Sequence, residues 1–172
     1  MVDYIALDPN SPGLPPGMEA FYDISHAVGV PLAPGDAGTP PNHRHDVLLI
    51  QYMLDKAYEG ESLRPMGRML IDGKFGPITH YWMLFFLVEL ESQDETTKFG
   101  ERANFISFRS HFDKRFSGTF HLSLIGQLNM RIAGKSPIPI HQLAEKDPKF
   151  PKEVSQELIR RAKSRLKAQQ KG

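Results

Sequence analysis

The stretch "LIDGKFGPITHYWMLFF", Leu70 to Phe86, sets a polar turn with two glycines directly before a run of large apolar residues. Gly76 followed by Pro77 reads as a helix start, because proline loses nothing at the first helical position and its φ is already helical. Gly73 supplies a positive φ cheaply in the turn before it. Asp72 is placed to accept from amides two or three residues ahead and close the loop as an Asx turn, and Phe75 is expected to fold back as a plug between helices. The helix that follows, Pro77 to about Ser92, is apolar nearly all round, with Tyr81, Trp82, Met83, Phe85, Phe86, Leu87, Val88 and Leu90. A helix without a polar stripe is either central or covered by a partner, so this one is expected to be the hub.

Upstream lies "HDVLLIQYMLDKAYE", in which Val47, Ile50, Leu54 and Ala57 recur at helical steps, with Met53 and Tyr58 alongside. That spacing predicts a first helix, with Asp46 placed to cap it. The Gly/Pro-rich loop "GESLRPMG" connects it to the opening stretch. Downstream, Phe120, Leu124, Leu128 and Ile132 predict a third helix ending at Gly134 as its C-cap. Between the second and third helices, Phe105, Phe108, Phe112 and Phe116 fall at three- and four-residue steps, which favours a further helix over a strand. "SPIPIHQL" reads as extended. The final element places Val154, Leu158, Ala162 and Leu166 on one weak face, and after Glu157 every charged residue is basic. The expected core is Val47, Ile50, Leu54, Phe75, Met83, Phe86, Leu124 and Leu128.

Residues 1–45 hold eight of the fourteen prolines. Proline disfavours α conformation in the residue before it, so this stretch reads as an extended arm. Either it is a loosely attached leader, or Phe21, Tyr22, Ile24 and Val28 dock on the core or on a neighbouring subunit. The chain thus divides into an N-terminal arm over 1–45, a helical domain over 46–134 with an insertion at about 91–117, and an extended linker with a basic helix over 135–172.

Val47, Ile50, Gln51, Leu54 and Tyr58, followed by "DGKFGPIT" from Asp72 to Thr79, resemble the peptidoglycan-binding domain of the three-helix type. The resemblance covers about residues 45–90 and, more weakly, a third helix at 118–133. It implies a mainly α fold: a three-helix peptidoglycan-binding-like bundle carrying the extended arm, an inserted helical segment and the basic C-terminal helix. In it, Gln51, Gly73, Gly76, Pro77 and Thr79 would serve the structural motif, and the ligand would lie in a shallow groove near Tyr58, Asp72, Phe75 and Tyr81. The function so implied is a non-catalytic, wall-binding module. This copy departs from the family at Ala57, Trp82 and Leu87, where a glycine, a small residue and a glutamine are usual. Its loop before Asp72 is also longer, and its linker to the third helix is swollen. Exchange of polar for apolar positions implies a partner face on the Trp82 helix. The alternative is therefore a structural or adaptor subunit of a phage tail or a contractile injection machine that keeps the fold without sugar binding.

With 21 basic and 20 acidic residues the formal net charge is +1, so no global field draws nucleic acid or an anionic membrane. The basic tail offers no interleaved aromatics for base stacking, and nucleic acid is not an expected partner. Cysteine is absent, which excludes a disulfide framework and thiolate chemistry. No G-x-S-x-G or H-E-x-x-H stands in the chain, and the carboxylate pairs Glu89 with Glu91 and Asp94 with Glu95 read as solvated, so no enzyme is expected. The cluster "NHRHD", with His43, His45 and Asp46, lacks the helical spacing of a zinc site, so neither a metal nor another cofactor is expected. The N-terminus has no basic n-region or apolar h-region, and no window approaches the roughly 18 apolar residues of a membrane span. These features lead to an expectation of cytoplasmic synthesis without a signal peptide, with residence in a virion or injection-machine particle. The expected partners are weakly bound peptidoglycan, and other proteins or a second copy engaged through the Trp82 helix, the arm and the basic helix.

Overall fold

The computed structural model describes residues 2–6, 20–30, 41–93, 107–108 and 124–169. Among these the chain is mainly helical, with two small antiparallel sheets. β1 (Val2–Ala6) pairs with β2 (Ala20–Ile24), and β3 (Val28–Gly29) pairs with β4 (Ser107–Phe108). The helices are α1 (Arg44–Ala57), α2 (Pro77–Gln93), α3 (Leu124–Lys135), the short α4 (Leu143–Lys146) and α5 (Lys152–Gln169).

The hub is α1 and not α2. Val47 through Leu54 are all buried, and α1 touches α2, α3, α5, β1 and β3. The amphipathic spacing of α1 was only part of its signal, because Leu48, Leu49, Tyr52 and Met53 bury the other faces as well. α2 sits beside it, burying Trp82, Met83 and Phe86 while Ile78, Tyr81 and Val88 stand 46%, 41% and 61% exposed. Of the expected core, Val47, Ile50, Leu54, Met83, Phe86 and Leu128 are fully buried, whereas Phe75 and Leu124 pack only partly against the cluster.

The residues ahead of α1 reach that same core. Phe21, Tyr22, Ile24 and Val28 are each at most 1% exposed. The side chain of Asn129 on α3 accepts from the Tyr22 N–H and donates to the Tyr22 carbonyl, both at 2.8 Å, so a buried amide stands in for a neighbouring strand. Asn42 repeats the device on Gly29, with both bonds at 2.9 Å. The proline-rich stretches 7–19 and 31–40 lie outside the described residues.

After α3, Ile140, Leu143, Phe150 and Val154 close the core from the other side. Phe150 packs between Tyr22 and Tyr52, with ring centroids 5.4 and 4.7 Å away. Lys56 on α1 reaches Asp147 at 2.8 Å, and the Tyr52 hydroxyl donates to the same carboxylate at 3.0 Å. One apolar cluster is thus shared by all three stretches into which the sequence divides.

Several local expectations are corrected. Asp46 does not cap α1: the capping residue is His43, with no side-chain bond, and Asp46 is buried within the first turn, its Oδ2 3.1 Å from His26 Nδ1. A carboxylate in the first turn still faces the positive end of the helix dipole. Gly134 lies inside α3, which continues to Lys135. In the insertion, Ser107–Phe108 is a strand and not part of a helix; Phe105, Phe112, Phe116 and Phe120 lie outside the described residues.

Candidate functional site

The loop from Glu59 to Gly76 is organised around one side chain. Gln51, buried on α1, accepts through Oε1 from the N–H groups of Asp72 and Gly73, at 3.1 and 2.8 Å. Its Nε2 lies 3.1, 3.0 and 3.0 Å from Asp72 Oδ1, the Lys74 carbonyl and Thr79 Oγ1. Asp72 Oδ1 also accepts from the Lys74 N–H at 2.9 Å, the expected Asx turn. That bond, opposed by slight burial and aided by Gln51, holds the Asp72 carboxyl below its ordinary pKa. Arg44 ties the loop from outside, donating to the Asp72 carbonyl at 2.6 Å while its guanidinium also grips Glu153 on α5 at 2.9 and 2.8 Å. Gly76 precedes Pro77 at the start of α2, and its carbonyl accepts from His80 N–H at 2.9 Å.

Gly73 has φ +74°, and a Cβ there would lie 2.9 Å from Arg44 Cγ and 3.0 Å from Leu48 Cγ. A β-branched residue is strained at that φ in addition to the clash. Gly73→Val is therefore expected to destabilise the fold by more than about 1 kcal/mol. An unchanged thermal melt would rule out this turn.

The four residues assigned to a ligand groove fall apart. Tyr58 is a core residue, 1% exposed, and cannot line a surface groove. Its hydroxyl donates to Glu89 Oε2 at 2.6 Å, the Arg131 guanidinium lies 4.3 Å over its ring, and Trp82 and Phe85 meet it edge-on. Arg131 also pairs with Glu89 at 2.7 Å and donates to the Ala57 carbonyl at 3.1 Å, so α1, α2 and α3 meet at one polar knot. Burial pushes the Tyr58 pKa well up, the bond to Glu89 adding to it. Burial also raises Glu89, but hydrogen bonds from Arg131 and Tyr58 outweigh it and leave that carboxyl below its ordinary value. Phe75 is half-buried, Asp72 exposed, and Tyr81 stands on the outer side of α2 against Phe85. Among the described residues no hydrogen bond or ring contact joins Tyr58 or Tyr81 to Asp72. Asp72 borders a pit of about 160 Å³, with Gln51, Lys74, Pro77 and Thr79.

A larger cleft, of about 940 Å³, is also lined by this loop. Arg64 to Ile71 form one wall, Asp55 of α1 and Trp82 of α2 complete it, and Lys149 closes the rim. Gly67, at φ +82°, turns the chain here. Lys149 is held by Glu59 at 2.6 Å, but Arg64 and Arg68 make no hydrogen bond or ion pair among the described residues. Burial raises the Asp55 pKa, with Lys149, Arg68 and Arg64 pulling the other way. Trp82 is 3% exposed, and its indole N–H is buried without an acceptor. Such a group costs about 1–3 kcal/mol. The sequence carried no motif for this cleft; its only signals were the length of the loop and the arginines within it.

Among the described residues no group of three or more His, Asp or Glu could hold a metal ion, and no helix is long and apolar enough to cross a membrane. Compared with known proteins, the chain matches no family model, no curated protein and no solved structure.

Proposed function

We propose that this chain is a non-catalytic, peptidoglycan-binding-like module, with α1, α2 and α3 as its three-helix bundle, working in an assembly that contacts the cell wall. The observation that carries the reading is the Gln51 amide, which joins Asp72, Gly73, Lys74 and Thr79. Those are the positions at which the sequence resembles the wall-binding family, and here their chemistry seats the second helix on the first. Contact with wall polymer is weak in this reading. Of the positions assigned to recognition, Tyr58 is enclosed in the core, so polar groups for orienting a sugar are few.

A second reading, a structural or adaptor subunit of a phage tail or contractile injection machine, is favoured by the outer side of α2. Ile78, Tyr81, Phe85 and Val88 follow one another at helical spacing, and three of them are well exposed. An apolar row of that kind on a protein surface marks a contact with another protein. The proline-rich arm and the basic helix α5 are further contact regions under this reading, and the particle is where the chain would reside.

The test is co-sedimentation with insoluble peptidoglycan sacculi, beside light scattering of the same sample. Moderate salt keeps Arg160, Lys163 and Lys167 from binding acidic polymer nonspecifically. Weak, non-saturating sedimentation together with a scattering mass above that of the monomer is the expected result. Tight, saturable binding by a monomer, lost in Tyr81→Ala, would overturn the adaptor reading. Complete absence of sedimentation at every loading would overturn wall contact.

A further inference from the structure

We propose that the cleft between the Arg64–Ile71 wall, α1 and α2 binds an acidic peptide segment, one that sets a carboxylate beside an apolar side chain. The inference goes beyond wall binding and does not depend on it. At about 940 Å³ the cleft has the volume of a ligand site. Its chemistry is of two kinds. Arg64 and Arg68 are exposed guanidiniums with no hydrogen bond or ion pair among the described residues, and a guanidinium fork matches a carboxylate with two parallel bonds. The lining also holds the acid Asp55 and the cation Lys149; Lys149 is already taken by Glu59, so the two arginines leave positive charge in excess.

The remaining wall is apolar. Met66 and Leu70 are 80% and 56% exposed at the cleft, with Pro65, Met69 and Ile71 beside them. Methionine side chains adapt to irregular apolar partners. Trp82 is also among the lining residues, so its indole is placed to report on an occupant. A peptide supplies both complements: carboxylates for the arginines and an apolar side chain for the methionines. A nucleic acid would want an exposed aromatic platform for its bases, and the sole aromatic of this lining is the buried Trp82.

Trp82 is the only tryptophan of the chain, so its indole gives a single ¹⁵N–¹H cross-peak. Full-length protein is titrated with the blocked tetrapeptide Glu-Leu-Glu-Leu, with blocked Lys-Leu-Lys-Leu, and with sodium acetate at matched ionic strength. The acidic peptide is expected to shift the indole cross-peak saturably, and the basic peptide and acetate are not. In the double variant Arg64→Gln, Arg68→Gln, whose changes are at exposed side chains and leave the core intact, the acidic peptide should bind at least about tenfold more weakly, in line with the loss of charge-assisted bonds. An unmoved indole, an equal response to the basic peptide, or unchanged affinity in the double variant would each overturn the site. The same saturable shift from acetate alone would overturn the peptide assignment.

Discussion

Phe86→Ala is expected to lower the stability of the fold by about 3–5 kcal/mol, the range for truncating a fully buried phenylalanine. The ring is 0% exposed and belongs to the cluster that joins α2 to α1 and α3. Its removal takes away the transfer term and leaves a cavity in that cluster that a packed core cannot fully collapse. For a chain of this size each kcal/mol moves the midpoint by roughly 2–4 °C, so the loss reads as a fall of about 6–20 °C. Val88 is the internal control. It lies two residues further along the same helix, yet it is 61% exposed, so Val88→Ala should stay within about 0.5 kcal/mol of wild type. If Phe86→Ala melts within a degree or two of wild type, the packing of α2 given above is wrong.

That contrast within one helix also marks how far the sequence could be read. The apolar run from Tyr81 to Val88 showed that a helix was there, but not which side of it would be covered. A helix that is apolar all round carries no vector, and its orientation is decided by what else the chain folds against it. Here that is α1, which buries Leu48, Leu49, Tyr52 and Met53 and packs also against β1, α3 and α5. Of those partners, β1 and α5 come from segments with weak periodic signals of their own. The hairpin is the clearest case, since Ala20–Ile24 is buried along its whole length and shows no alternation. Its outer edge is satisfied by Asn129, more than a hundred residues away in sequence.

The local chemistry was far more legible. The positive φ of Gly73, the Asx turn at Asp72 and the helix start at Pro77 all follow from residue types acting over two or three positions. Asp46 and Tyr58 show where that logic stops. A carboxylate near a helix start reads as a cap, and a tyrosine at a helix end reads as a surface aromatic. His26 in one case, and Glu89 with Arg131 in the other, came from distant parts of the chain and gave each a buried role instead. The cleft beside Arg64 and Arg68 was illegible for a related reason: loop residues have no period, and their convergence on Asp55, Trp82 and Lys149 exists only once α1 and α2 are packed.

Gln51→Met is the change expected to have the other large effect, because methionine nearly matches the volume of glutamine and isolates the polar contribution. The substitution removes the acceptor of the Gly73 N–H and the donor to Thr79 Oγ1, both of them buried bonds, along with contacts to Asp72 and Lys74 at the more exposed end. The exposed groups can turn to water. Gly73 and Thr79 are buried and cannot, and leaving two buried groups unpaired costs about 1–3 kcal/mol each. The expected loss is therefore about 2–6 kcal/mol by thermal or denaturant melting. The loop should also loosen locally, so that amide exchange at Gly73 and Lys74 rises ahead of global unfolding. Thr79→Val separates the two ends of the network, since it removes one hydroxyl and leaves the Gln51 bonds to the Asp72 and Gly73 amides in place; it should cost less than Gln51→Met. Should Gln51→Met retain wild-type stability and wild-type protection at Gly73, the amide does not hold the loop, and the proposed wall-binding-like module loses the observation offered for it.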